Sequence, residues 1–125
     1  MVNKKRTASE IGKASRNKGK TGEREAAKAL MERIPGVHIE RSVQYSGRGA
    51  ARGAGGMPDL VGLKQFHLEV KRTEKAEPYR WLAQVQSDKL PGDIGVVLHR
   101  QSRKEWIVIM ALDDFCRLVN MRKDE

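Results

Sequence analysis

The chain has 125 residues, with 25 lysines and arginines against 16 aspartates and glutamates, which gives a formal net charge of +9. This length closes one hydrophobic core but not two, and the basic excess favours a polyanionic partner, first of all nucleic acid. A single cysteine, Cys116, excludes an internal disulfide and a cysteine-rich zinc site, and no apolar run suits a signal peptide or a membrane span, so we expect a one-domain cytoplasmic protein.

The basic charge is concentrated at the start of the chain. Residues 1–24 hold eight lysines and arginines against Glu10 and Glu23, so this segment carries +6 of the total. Residues 1–18 have few apolar side chains and are predicted to form a flexible basic arm that contacts phosphates. The folded domain is then predicted over residues 19–119, and residues 120–125 are predicted to be a disordered tail.

A helical pattern begins at Thr21, which can cap a helix over residues 22–34. The apolar stripe of this helix consists of Ala27, Leu30 and Ile34. Counting back four residues from Ala27 places Glu23 at the N-terminal end of the stripe, where it points inward. Glu23 is then either part of a functional cleft or an acid favoured by the helix dipole.

A strand and a glycine-rich loop follow the helix. Val37 to Tyr45 alternates apolar and polar side chains, as a half-buried strand does. Residues 46–56 contain five glycines and no apolar side chain larger than alanine, so they predict an exposed mobile loop. The loop is either a linker or, as we favour, a phosphate-binding loop in which Arg48 and Arg52 approach the backbone of a nucleic acid.

Two short strands are predicted over residues 57–63 and 66–71. Glu69 and Lys71 lie on one face of the second strand. Asp59 joins them only if the strands pair so that the numbers of opposite residues have an even sum, for example 59 with 71 or 61 with 69. A two-residue turn gives the wrong parity, so a three-residue connection or a bulge is expected.

The remaining pattern alternates helices and strands. Residues 78–90 form a predicted helix, 94–99 and 106–110 are predicted strands, and 112–119 a final helix. The side chains predicted to point inward from the two helices are Tyr79, Leu82, Val85, Leu112, Phe115, Cys116 and Val119. The order of elements predicts an α/β fold with a mixed sheet flanked by helices.

The acidic side chains indicate a chemistry. Glu23, Asp59 and Glu69 would repel one another in one cleft unless a cation joined them, and Mg²⁺ takes oxygen ligands of this kind. Lys71 beside them could orient or deprotonate a water and neutralise a phosphate in its transition state. The combination predicts phosphodiester hydrolysis. An acid two residues before a lysine is, taken alone, more often an ordinary ion pair on a strand.

Pro58-Asp59, followed ten residues after the aspartate by Glu69-Val70-Lys71, resembles the signature of the PD-(D/E)xK nuclease superfamily. The stretches "KGKTGERE" and "ERSVQYSGRG" are similar to archaeal Holliday-junction resolvases of the Hjc type. The resemblance implies a restriction-endonuclease-like fold and a metal held by Glu23, Asp59, Glu69 and the Val70 carbonyl. It also implies that Lys71 is the catalytic lysine, that the metal is Mg²⁺ with Mn²⁺ as a substitute, and that Arg24, Arg41 and Ser46 assist at phosphates.

Three functions are weighed against one another. The first is a homodimeric, Mg²⁺-dependent endonuclease that resolves four-way DNA junctions. The second is another nuclease of this fold that acts on flapped, branched or linear DNA. The third is a non-catalytic basic DNA-binding module. The short hairpin and long glycine-rich loop differ from the archaeal enzymes and suit a phage-encoded relative.

The roles of one histidine and two glutamines stay open, and a larger set of residues is expected to contact DNA. His67 is either structural or a support to the site, and either Gln84 or Gln86 could be a supporting glutamine. The residues expected to contact DNA are Lys18, Lys20, Arg24, Arg41, Ser46, Arg48, Arg52 and Arg72.

Overall fold

The order of helices and strands sets the architecture in the computed structural model, which describes residues 7–42 and 56–123. The elements are α1 Ala8–Arg33, β1 Glu40–Arg41, β2 Leu60–Val61, β3 Phe66–Arg72, α2 Pro78–Asp88, β4 Ile94–Arg100, β5 Ile107–Ile109 and α3 Leu112–Lys123. The strands form one sheet in the order β1-β2-β3-β4-β5, in which β3 and β4 are parallel and the other pairs antiparallel. The predicted α/β mixed sheet flanked by helices is confirmed. In these two stretches, no helix has the length and apolar content needed to cross a bilayer.

The first helix starts earlier than the apolar pattern predicted. Thr7 Oγ1 accepts a hydrogen bond from the amide of Glu10 (3.1 Å), and the Glu10 carboxylate accepts one from the amide of Thr7 (3.3 Å). This capping box satisfies two amides at the helix start and fixes it at Ala8. The predicted start at residue 22 is therefore wrong, and residues 8–18 of the predicted arm are helical, although the side chains of residues 17–20 are exposed.

The hairpin between β2 and β3 has the predicted parity. Leu60 pairs with Leu68, so the sum of paired numbers is even, but the register lies two residues from the pairing of 59 with 71. Residues 63–65 form the expected three-residue connection, closed by the amide of Phe66 donating to the Leu63 carbonyl (3.2 Å). Gln65 takes a left-handed conformation there (φ 71°). This register places Asp59 opposite Glu69.

The sheet has an apolar layer on each side. Against α1 lies a cluster of Ala26, Ala27, Ile39, Leu60, Leu68, Ile94, Val96 and Leu98. Against α2 lies a smaller cluster of Trp81, Val85 and Val97. Because side chains alternate along a strand, Leu68 points to α1, and the neighbouring Glu69 and Lys71 point to the side of α2.

The predicted inward faces of the two later helices are partly wrong. In α2 the buried residues are Trp81 and Val85, whereas Tyr79 is 87% exposed. The indole is the larger apolar group, and it fills the space above Val97. In α3 the four residues predicted to point inward are all exposed, and Leu118 packs against the core instead. Within the described residues, no part of the chain therefore covers the stripe of Leu112, Phe115, Cys116 and Val119.

The strand predicted over residues 37–45 is shorter in the structure, as far as residues 37–42 show. Within residues 37–42, Glu40 and Arg41 alone pair with β2, although Ile39 is buried as expected. The last three residues of the predicted strand and the glycine-rich loop up to residue 55 lie outside the described residues.

Candidate active site

Asp59 is held at the point where β2 begins to pair with β3. Its amide donates to the Leu68 carbonyl (2.8 Å), and its Oδ2 accepts from the amide of Val70 (2.8 Å). Both bonds accompany the register that pairs Leu60 with Leu68 and places Asp59 opposite Glu69. A carboxylate that follows a proline at a strand end is therefore fixed against the segment Glu69-Val70-Lys71.

Asp59 and Glu69 form a closely spaced acidic pair. Burial is the largest cause that raises the pKa of Asp59 to about 8, followed by its hydrogen bond to Glu69 and the charge of Glu69. The charge of Glu23 raises the pKa of Asp59 further by a smaller amount. In the absence of a cation, the pair therefore holds a proton near neutral pH.

Glu23 lies close to this pair but is turned towards an arginine. Arg41 Nε donates to Glu23 Oε1 (2.9 Å), and both side chains are mostly buried. Glu23, Arg41, Ser42 and Asp59 line a cavity of about 220 Å³. Within residues 7–42 and 56–123, no three histidine, cysteine, aspartate or glutamate side chains are arranged to hold a metal ion. The structure thus brings Asp59 and Glu69 together and places Glu23 next to them, bound to Arg41.

His67 makes direct contact with the acidic pair. Its ring is fully buried, and its Nε2 lies 3.0 Å from Glu69 Oε1. The second ring nitrogen, Nδ1, is buried without a hydrogen-bond partner in the described part of the chain. This contact restricts the rotamer of Glu69, a role that the alternation of β3 allowed but did not distinguish from simple packing.

The two candidate glutamines have different environments. Gln84 Nε2 donates to the Asp88 carboxylate (3.0 Å) within exposed α2 surface. Gln86 points to the sheet, where its Oε1 is buried near Gly95 and has no partner among the described residues. Gly95 pairs with His67 in the parallel register. Of the two glutamines, Gln86 is the one that faces the sheet, and its support of the site stays a prediction.

Lys71 and Arg72 have opposite orientations on β3. Lys71 lies on the same face as Glu69, which agrees with the predicted alternation. Arg72 points to α1, where its Nε lies 3.3 Å from Glu25 Oε2, and Glu25 also pairs with Arg100 of β4. Arg72 thus fastens α1 to the sheet, and contact with DNA remains a prediction for it.

The other residues expected to contact DNA divide into two groups. Lys18, Lys20 and Arg24 are exposed on α1, upstream of and beside Glu23. Ser46, Arg48 and Arg52 lie outside the described residues. Their assignment to phosphate contacts stays a prediction.

Gly22 sets how closely α1 approaches β3. A Cβ atom at this position would lie 2.7 Å from the Cβ of Arg72, whereas one at Gly19 would have nothing within 4 Å. We expect Gly22→Ala to displace α1 and the adjacent Glu23, lowering stability by ~1–3 kcal/mol and also lowering activity. Gly19→Ala, on the same helix, should instead stabilise by ~0.5–1 kcal/mol. Chemical denaturation of both variants checks this; equal stability would contradict the close approach.

The donor set fits a hard divalent cation. Asp59 and Glu69 supply carboxylate oxygens that are near enough to share a proton, and a cation could take the place of that proton. Glu23 lines the same 220 Å³ cavity as Asp59. Its carboxylate could become a third ligand of the cation if it gave up its hydrogen bond with Arg41. All of these ligand atoms are oxygens, so the set favours Mg²⁺-like ions over soft metals.

A family model described as "Phage putative PDDEXK endonuclease" matches residues 14–125. No curated protein and no solved structure matches the chain. The match covers α1 from within its first half and all later elements, including the acidic pair and Lys71.

Proposed function

Because the chain belongs to the family of phage PDDEXK endonucleases, we propose that it is a Mg²⁺-dependent endodeoxyribonuclease that resolves four-way DNA junctions as a homodimer. The observation that carries the proposal is the strand register that sets Asp59 opposite Glu69, with both side chains partly buried and Glu69 two residues before Lys71. A partly buried acidic pair costs stability, and a catalytic metal site gives a reason to retain it.

The roles of the residues follow from their positions. Asp59 and Glu69, with Glu23 and the Val70 carbonyl, would hold the cation. A bound Mg²⁺ would lower the pKa of a coordinated water and neutralise charge on the scissile phosphate. Lys71 would orient the attacking water or remove its proton, and it would balance the charge of the phosphate in the transition state. His67 would keep Glu69 in the rotamer that faces Asp59.

The proposed DNA surface extends from this site along α1. Lys18, Lys20 and Arg24 form an exposed basic stretch of helix that leads to Glu23. Basic side chains on such a surface contact phosphates and carry no base specificity, which suits recognition of a branched backbone. Family membership favours a nuclease over the non-catalytic binding module. Cleavage of flapped or linear DNA is the second candidate, because the same site serves any phosphodiester.

One experiment separates these substrates. Labelled four-way, flap and linear DNA of shared sequence are incubated with the protein in Mg²⁺ or in EDTA. We expect paired symmetric cuts in the four-way junction, which require Mg²⁺, and at least about tenfold tighter binding of the junction than of linear duplex. Faster cutting of flaps or linear DNA would replace the junction assignment, and no cleavage of any substrate would contradict the nuclease.

The basic stretch in the first half of α1 has a measurable salt signature. Changing Lys18 and Lys20 together to glutamine should weaken DNA binding and reduce the slope of log affinity against log salt by about 1–2. Lys28→Gln is the matched control. Lys28 is exposed on the same helix, but its Nζ lies 4.0 Å from Glu32 Oε1, so its charge is already paired. Titrations at several salt concentrations give the slopes, and an unchanged slope for the double variant would remove this stretch from the DNA surface.

A further inference from the structure

One apolar surface of the chain is left open to solvent. This β5–α3 face consists of Val108, Leu112, Phe115, Cys116 and Val119. Val108 is 56% exposed, Leu112 74% and Phe115 54%. The helical spacing of the α3 residues is that of a buried stripe, yet nothing in the described part of the chain covers it. A patch of this kind marks a surface that a partner covers.

The strand and helix parts of the β5–α3 face lie on the same side of the sheet. β5 is the last strand of the sheet, and two residues separate its end from the start of α3. Val108 pairs with Leu98, which belongs to the core cluster on the α1 side. Leu118 of α3 packs against that same cluster. Val108 and α3 therefore lie on the same side of the sheet, at the end formed by β4 and β5.

We propose that the β5–α3 face is the surface on which two copies of this chain form a dimer. The exposed parts of these five side chains supply an apolar centre, and a standard stable interface of ~800 Å² per partner surrounds such a centre with a polar rim. An exposed apolar edge strand would also promote open-ended association, and a closed two-fold contact prevents this.

A two-fold axis near the middle of α3 suits its charges. The first turn carries Asp113 and Asp114, and the last turn carries Arg122. Antiparallel packing of two α3 helices brings the acidic end of each next to the basic end of the other, and it aligns the helix dipoles favourably. Such an axis crosses α3 at the level of Arg117 and Leu118, within one turn of Phe115 and Cys116.

The role of this dimer rests on the proposed function, because two copies would supply the two active sites that paired cuts need. Asp59 and Glu69 lie at β2 and β3, and β4 separates them from β5. Contact through the β5–α3 face therefore leaves the acidic pair of each copy open to DNA.

The test uses the full chain without DNA or metal. Sedimentation should give a mass of about twice 14.1 kDa. A short bismaleimide should link the two Cys116 side chains into a covalent dimer, and Cys116→Ser should abolish that product. Phe115→Asp should raise the dimer dissociation constant by at least about thirtyfold. Tyr79→Asp is the matched control, since Tyr79 is 87% exposed on α2, and it should leave the dimer intact.

Each outcome decides the proposal. A monomeric wild-type protein, a dimer that resists Phe115→Asp, or a dimer in which Cys116 fails to cross-link would overturn it. Unfolding curves of Phe115→Asp show whether the variant is folded, and the wild-type cross-link stands independently of that variant. A cross-linked dimer that does not cut four-way junctions would refute the proposed substrate and leave the dimer surface in place.

Discussion

Asp59→Asn and Glu69→Gln should each lower the DNA cleavage rate by at least ~10³-fold, because each removes a carboxylate charge that would hold the cation. Binding to DNA should stay at wild-type strength or become tighter, since both changes remove negative charge near the phosphates. The fold should persist in Asp59→Asn, because the amide oxygen of the new side chain can still accept from the amide of Val70 as Asp59 Oδ2 does. Single-turnover cleavage and gel-shift measurements in Mg²⁺ separate the two effects.

Lys71→Ala distinguishes a catalytic role from metal binding. This variant should be as inactive as the carboxylate variants but should still show a rise in melting temperature on addition of Mg²⁺. Asp88→Asn is the control, because Asp88 bonds only to Gln84 on the exposed side of α2 among the contacts described. Wild-type rates in Asp59→Asn or Glu69→Gln would show that the acidic pair is not the metal site.

The second large effect concerns stability without metal. The raised pKa of Asp59, about 8 in the folded chain against 3.8 for an ordinary aspartate, means that the fold prefers the protonated carboxyl. Folded protein then binds more protons than unfolded protein between about pH 4 and pH 8. Stability from this group is present in full below pH 4 and is lost as the pH rises through 8, by about 2–5 kcal/mol.

Asp59→Asn should remove most of this loss, because an amide stays neutral at every pH in the range. The variant should therefore melt at a higher temperature than the wild type at pH 8 in EDTA and at nearly the same temperature at pH 4. Mg²⁺ should raise the melting temperature of the wild type at pH 8 and leave Asp59→Asn unchanged. Asp113→Asn, an exposed change on α3, should follow the wild type. An equal dependence of melting temperature on pH in Asp59→Asn and in the wild type would contradict the raised pKa of Asp59.

The hairpin shows what the sequence could predict about the site. Alternation along the strands lets Asp59 share a face with Glu69 and Lys71 only in a register of even sum, and this condition predicted a three-residue connection or a bulge. It could not choose between registers of the same parity, and the pairing of Leu60 with Leu68 depends on the turn at residues 63–65. The superfamily signature is confirmed by the family match, whereas the archaeal subgroup is not.

The errors have specific physical origins. The start of α1 is predicted too late because the prediction relies on charge and low hydropathy. Thr7 and Glu10 have the spacing of a capping box, a signal that charge and hydropathy do not contain. The contact between Glu25, Arg72 and Arg100 joins residues far apart in sequence, and no local pattern predicts it. The stripe on α3 is apolar at the predicted positions, but periodicity does not tell which molecule covers it.

The three-residue turn at residues 63–65 also limits how this gene can change in length. Adding or deleting one residue there would rotate Glu69 and Lys71 to the α1 side of the sheet, away from Asp59, while a change of two would preserve the face. Viable insertions and deletions in the turn should therefore come in pairs of codons, or singly only with a compensating bulge. A library of turn lengths selected for nuclease activity would display this alternation directly, with odd changes lost and even changes retained.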